Sequence, residues 1–303
     1  AEVEVRTANN GNLVMEDVPE IPAAVVDGLN RYQNVRSAVF SGWAEDGRGI
    51  YVRTRFGDVD QLHRVDMPGG ARYQLTYENE PMGQVERQPG GPGIAFTRDA
   101  GGSEFAQVFL LDPETGKQTL LTDGESRNDS VVWDRDGRRI AYRSTRRNGA
   151  SNDVWILSPD APGAAAIALE SPDRTLWRPV EFSASGSKLL AVNYIGVADA
   201  RPHLVDLDSG SVELLAGGED KTSFNFPVGF DDAADGYWLR TDQGGEFVQL
   251  AWQPLEAGAP VEIVTRDIQW NVDDAVLSHD RSRMAFIVNE DGRSALYLMD
   301  VAT

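Results

Sequence analysis

Cysteine is absent from this 303-residue chain, so disulfides and thiolate chemistry are excluded and the redox compartment stays open. No run of 18 apolar residues occurs, and a membrane-spanning helix needs one. Basic residues are scarce: 28 Lys and Arg stand against 48 Asp and Glu, a formal net charge of −20. Nucleic acids and anionic membrane surfaces are recognised through basic footprints, so neither is an expected partner. Acidity of this kind solvates a surface. Histidine occurs only at His63, His203 and His279, with no metal-ligand spacing and no thiolate to assist, so no metal site and no cofactor is expected. The nucleophile elbow G-x-S-x-G is missing too. Gly101-Gly102-Ser103-Glu104-Phe105 fails at its last position, and Ser183-Ala184-Ser185-Gly186-Ser187 lacks the leading glycine. Gln88-Pro89-Gly90-Gly91-Pro92-Gly93 lacks the Lys-Ser/Thr and helix of a phosphate loop and reads as a plain turn.

What is present is a repeat. The stretch Val131 to Leu157 contains an apolar pair ending in Trp133, an Asp136-Gly137 turn, the run Ile140 to Arg143, an Asn148-Gly149 turn and the run Val154 to Leu157. This predicts three antiparallel strands joined by type I′ turns, which need positive φ at both central residues. The middle of the third strand recurs at His63, Phe109, Trp155, His203, Gln249 and Tyr297, spaced 46, 46, 48, 46 and 48. A glycine after that strand recurs at Gly70, Gly116, Gly163, Gly210 and Gly258, and the first turn recurs at Asp46-Gly47, Asp136-Gly137, Ser185-Gly186 and Asp235-Gly236. A fourth strand follows the glycine at 118–121, 212–215 and 261–264. Four strands per period of about 47 residues predict an all-β fold, a β-propeller of four-stranded antiparallel blades with six visible. Blade one opens at Ser37 to Phe40, and the next five begin near Gly91, Val131, Val180, Val228 and Ala275.

Residues 1–35 lie outside the blade pattern and the propeller occupies 36–303. In the N-terminal extension, Asn12 to Glu16 reads as a strand, and Pro22 ahead of Ala23-Ala24-Val25-Val26-Asp27 predicts a short helix reaching toward Leu29. By the spacing, a fourth strand of blade six belongs after Thr303. Either Asn12 to Glu16 supplies it, or the sequence belongs to a longer chain; the second explanation is preferred, with the N-terminal strand serving the last blade of the parent.

Candidate binding groups are few. His63 and His203 fill a position held elsewhere by Phe109, Trp155 and Tyr297, so they read as packed rings, and His279 reads as a turn residue. Asp134-Arg135-Asp136-Gly137 and Asp231-Asp232-Ala233-Ala234-Asp235 could suggest calcium, but both fall at the blade turn, where Asp caps its own backbone. Arg53 and Arg55, two apart on one strand face, and Arg143, Arg146 and Arg147 come from second strands or the loops leaving them. An arginine at a propeller rim can clamp a peptide carboxylate bidentately, whereas the plainer reading pairs it with the chain's many acids. Glu80 completes the set of candidate substrate contacts.

The run Trp133 to Tyr142 resembles the repeat of TolB-type propellers. More specific are Glu20-Ile21-Pro22-Ala23, Tyr32 through Phe40, Thr54-Arg55-Phe56-Gly57, Gln61 through Val65, Pro68 through Arg72 and Gln74-Leu75-Thr76. Together they resemble the propeller of bacterial prolyl oligopeptidase-type serine peptidases, the dipeptidyl and acylaminoacyl peptidase branch. That resemblance implies a C-terminal α/β-hydrolase domain of the same polypeptide carrying a Ser-Asp-His triad. The propeller would then cap the site and filter short peptides by size, and the segment from Pro22 to Tyr32 would pack against that domain. It carries over no catalytic residue, because none here matches the triad. The start at Ala1 fits a removed export signal as well as a trimmed sequence, and with the resemblance it leads to an expected periplasmic or secreted location. Two alternatives stay open: a stand-alone TolB-like scaffold that binds a protein partner, and a propeller enzyme working through carboxylates.

Overall fold

A computed structural model describes residues 3–256 and 259–301 of the chain. The chain falls into two compact units, residues 1–131 and 132–303. The first unit opens with a hairpin of β1 (Val5–Ala8) and β2 (Leu13–Glu16), turned through Asn9 and Asn10 at φ 53 and 55. Asparagine tolerates that left-handed region better than other side-chain-bearing residues. Helix α1 (Ala23–Gln33) follows, with Pro22 pre-setting φ at its start and no residue of it buried.

Blade one is β3 (Ala38–Trp43), β4 (Ile50–Arg55), β5 (Asp60–Val65) and β6 (Tyr73–Gln74), antiparallel in that order. Blade two is β7 (Met82–Arg87), β8 (Ile94–Arg98), β9 (Gln107–Leu111) and β10 (Gln118–Leu120). Tyr51 and Leu62 of blade one pack on Ile94, Phe96 and Leu111 of blade two. This burial of alternating strand residues is what holds sheet to sheet.

Blade three has β11 (Asn128–Trp133), which carries the division between the units, then β12 (Ile140–Ser144), β13 (Asp153–Leu157) and β14 (Ala166–Leu169). Blade four is β15 (Leu176–Phe182), β16 (Lys188–Gly196), β17 (Asp199–Asp206) and β18 (Val212–Leu214). Blade five is β19 (Asn225–Phe230), β20 (Gly236–Thr241), β21 (Gln249–Pro254) and β22 (Glu262–Ile263). Blade six has β23 (Val272–Leu277), β24 (Arg283–Glu290) and β25 (Arg293–Asp300), three strands among the described residues. Val154 packs on Trp177 and Phe182, Leu239 packs on Leu190 and Leu204, and Leu250 packs on Met284 and Phe286, so each blade of the second unit is layered on the next. Five four-stranded sheets and one three-stranded sheet in series make this an all-β chain of β-propeller architecture.

The structure corrects several expectations. The first strands begin earlier than the pattern suggested, at Met82, Asn128, Leu176, Asn225 and Val272. Four of these, in blades two, four, five and six, shift register partway, at Met82/Val85, Pro179/Glu181, Pro227/Gly229 and Val272/Asp274. A bulge reverses the phase of apolar alternation, so only the half beyond it reads as a strand. The turns are not type I′: Gly137 and Gly149 have φ 66 and 75, but neither Asp136 nor Asn148 is left-handed. Asp134 Oδ1 instead accepts the Arg138 and Arg139 N–H groups at 2.8 and 3.1 Å, and Asn148 Oδ1 accepts those of Ala150 and Ser151. In blade five Ala234, at φ 57, takes the left-handed place, and Gly236 begins the strand. Of the glycine register, Gly116 and Gly210 are left-handed at φ 71 and 74, Gly69 replaces Gly70, Gly163 sits in a 3₁₀ turn, and Gly258 lies outside the described residues, as does Thr303. The counterpart of His63 in blade five is Ala251, which pairs with Leu239 and Ile263, two residues beyond Gln249. β2 pairs with β1, so that strand does not complete blade six.

The third strand of blade six carries two exposed leucines. Leu62, Val154 and Leu250 occupy one repeat position and are 0% exposed, while their counterpart Leu296 is 69% exposed and its neighbour Leu298 is 76% exposed.

Candidate functional site

Position Gln249 belongs to a different repeat, which the sequence reading missed. Thr265 Oγ1 donates to Gln249 Oε1 at 2.7 Å and accepts the Leu250 N–H at 2.9 Å. Thr76 does the same with Gln61 and Leu62, at 2.9 and 2.9 Å, and Thr122 with Gln107 and Val108, at 2.7 and 3.1 Å. The signal was legible as Gln-apolar followed 15 or 16 residues later by apolar-Thr. These buried clamps tie the third strand to the end of the fourth. Thr265→Val is expected to cost about 1–3 kcal/mol, because it strands two buried polar partners. In a double-mutant cycle with Gln249→Leu, additive losses would show that the two side chains do not act together.

The carboxylates read as turn groups serve turns. Asp134 also pairs with Arg139 Nε at 3.0 Å, and Asp231 accepts the Asp235 N–H and the Trp252 indole N–H at 3.1 and 3.0 Å. Among the described residues, no group of three or more His, Asp or Glu is placed to hold a metal, and no helix is long and apolar enough to cross a membrane. His63 and His203 each direct Nδ1 at a main-chain carbonyl two residues back, at 2.9 Å. The His203 ring lies 4.6 Å from that of Trp177, and burial pulls its pKa down to about 4. Burial lowers that of His63 as well.

The singled-out arginines lie on second strands or in the loops leaving them, and Glu80 lies in the link between blades one and two. Arg53 Nη1 donates to the carbonyls of Met82 and Gly83, both at 2.6 Å, stapling blade one to the first strand of blade two. Arg240, at the same repeat position in blade five, reaches the carbonyls of Val272 and Asp273. Arg143 also holds that position in blade three, paired in register with Val154. Arg147 grips the fully buried Asp153 through Nε and Nη2 at 2.8 and 2.9 Å, meets Glu170 at 2.6 Å and donates to the Ser171 carbonyl. The hydrogen bonds to Asp153 raise the pKa of the Arg147 guanidinium. Arg146 stacks over Trp155, with Cζ 5.2 Å from the ring centre. Glu80 accepts the Gly101 N–H at 2.9 Å, and Asn12 Nδ2 donates to the Gly101 carbonyl at 3.0 Å, so Glu80 helps fix the β8–β9 loop beneath the N-terminal hairpin.

Arg55 is placed differently. It donates to the Gln33 carbonyl at the end of α1 and lines a cleft of about 240 Å³ with Asn34, Arg36, Phe56 and Gly57. Arg36 and Arg72 approach the Phe56 ring, with Cζ at 5.3 and 5.7 Å. Arg72 also donates to Thr54 Oγ1 at 3.1 Å. Arg36 and Arg72 carried no role in the sequence reading, since they are 36 residues apart and meet only through the fold.

No protein-family model matches the chain. It is 30% identical over 171 residues to an uncharacterized protein of Agrobacterium fabrum (strain C58), a match covering 54% of this chain and 53% of that protein. It also aligns with a solved structure from a structural and mechanistic study of two prolyl endopeptidases and the role of their inter-domain dynamics in catalysis and specificity. That alignment has a TM-score of 0.71 at 12% identity and covers 99% of this chain and 50% of the other. The chain thus spans about half the length of the proteins it matches, and its likeness to the solved structure is one of fold, the β-propeller.

Proposed function

We propose that the chain is the non-catalytic, substrate-gating propeller of an exported serine peptidase acting on short peptides, of the dipeptidyl or acylaminoacyl branch, with TolB-type blades. The observation that carries this reading is the likeness in fold, over 99% of the chain, to one half of a prolyl endopeptidase. A C-terminal α/β-hydrolase domain would be its partner in the same polypeptide. The exposed apolar residues Ile21, Val25, Leu29 and Tyr32, on and beside α1, suit that docking. Substrate contact falls to Arg55, at the open cleft, while Arg53, Glu80, Arg143, Arg146 and Arg147 shape the edges of their own blades. A periplasmic or secreted location accompanies this reading.

One observation favours a second reading. A match of 171 residues is 53% of the Agrobacterium protein, which makes that protein about 320 residues long, the size of a propeller with no hydrolase attached. On that reading the chain is a scaffold that binds a protein partner. Fluorophosphonate labelling separates the two. The native protein from its source is expected to label and to cleave short peptides, whereas the 303-residue chain is expected to do neither. A native protein of this chain's mass that stays unlabelled would establish the scaffold reading instead.

A further inference from the structure

Blade one treats its arginines unequally at its two ends. At the end of the first turn, Arg64 is held by Glu45, Asp46 and Asp66 at 2.8, 3.0 and 2.6 Å. At the other end Arg36, Arg55 and Arg72 form no ion pair among the described residues, although acidic groups outnumber basic ones 48 to 28 in the chain. Asp60 stands opposite Arg55 in the strand register without pairing to it. A guanidinium carries five donors. Protein acceptors take one from Arg55, one from Arg72 and none from Arg36. Two of these cations also crowd the same aromatic ring, Phe56, an arrangement that Coulomb repulsion opposes unless an anion sits among them. Lysines would make poorer partners here, since guanidinium planes both stack on rings and present paired N–H groups to a carboxylate.

We propose that Arg36, Arg55 and Arg72, gathered around Phe56 at the mouth of the cleft beside α1, form a carboxylate-binding site that anchors a peptide by its C-terminal carboxylate or an acidic side chain. The cleft's volume of about 240 Å³ fits one residue's end group rather than a long segment. The identity of the ligand as a peptide rests on the peptidase reading, whereas the anion site rests on the arginines alone.

Isothermal titration of the 303-residue chain tests both. The probes are a neutral hexapeptide with a free C-terminus, its C-terminal amide, the amide with one internal Glu, glutarate, and inorganic phosphate. Binding of the free acid at least tenfold tighter than the amide is expected, weakened a further tenfold or more in Arg36→Ala/Arg72→Ala and by raising salt from about 50 to 500 mM. Tight binding of the Glu-containing amide would assign the site to acidic side chains, and tight binding of the free acid alone would assign it to C-termini. Arg36 is exposed and makes no protein hydrogen bond, so Arg36→Ala alone, with an unchanged melting temperature, guards against misfolding. Equal binding of acid and amide together with silence from glutarate and phosphate, or full affinity in the double variant, would overturn the proposal. Binding of glutarate or phosphate that the double variant abolishes, without peptide binding, would keep the anion site and overturn its peptide ligand.

Discussion

Replacing Leu250 with alanine is expected to lower the unfolding free energy by about 2–5 kcal/mol, the range for truncating a buried leucine that leaves a cavity. The same change at Leu296 is expected to cost less than about 0.5 kcal/mol, as at other open surface positions. The two leucines occupy the same place in consecutive blades, in the third strand and one residue before Ala251 and Tyr297 respectively. Their cross-strand partners differ, Arg240 for Leu250 and Ile287 for Leu296, and so does the covering layer. Leu250 is closed over by Met284 and Phe286 of blade six, while Leu296 faces solvent at 69% exposure. Urea unfolding of the two variants measures the contrast directly. Equal losses would mean that something covers blade six. Leu62→Ala provides an internal check in the other unit, where Ile94 and Phe96 supply the cover.

The blade rhythm was legible because it is set by local chemistry. Each period places an apolar run after a turn residue, such as Asp134 or Ser183, that accepts main-chain N–H groups across the loop. Those signals lie within a few residues of one another, and they gave the fold class and most second and third strands. First strands were obscured by their bulges, as in Met82 to Arg87, and the Ala251 register by a two-residue drift that only the pairing of Ala251 with Ile263 reveals. The site was read less well. Arg53 and Arg147 stood out as arginines on second strands and their loops, but their donors go to Gly83, Asp153 and Glu170, partners up to 30 residues away. Arg55 was picked out for its spacing from Arg53. Its companions Arg36 and Arg72 come from the link between α1 and β3 and the link between β5 and β6, and only the folded blade assembles them on Phe56.

Lowering the pH from 7 to about 4 is expected to remove on the order of 2–3 kcal/mol of stability through His203 alone. Its ring is mostly buried against Trp177, and burial disfavours the charged form, so its pKa falls from 6.5 to about 4. The unfolded chain therefore binds a proton in that window that the folded chain rejects, and stability declines as pH drops from 6.5 toward 4, with the loss complete below both values. At about 1.4 kcal/mol per pKa unit, a depression of this size sets the magnitude, discounted for the part of the ring that water reaches. The carboxylates add their own acid sensitivity, so the informative quantity is a difference between variants. His203→Gln, which keeps a polar group near the Arg201 carbonyl but cannot titrate, is expected to show a shallower decline in urea-unfolding free energy between pH 7 and 4.5 than the parent chain. Parallel curves for the two proteins would show that His203 takes up its proton as readily when folded as when unfolded, and the buried, neutral ring would have to be abandoned.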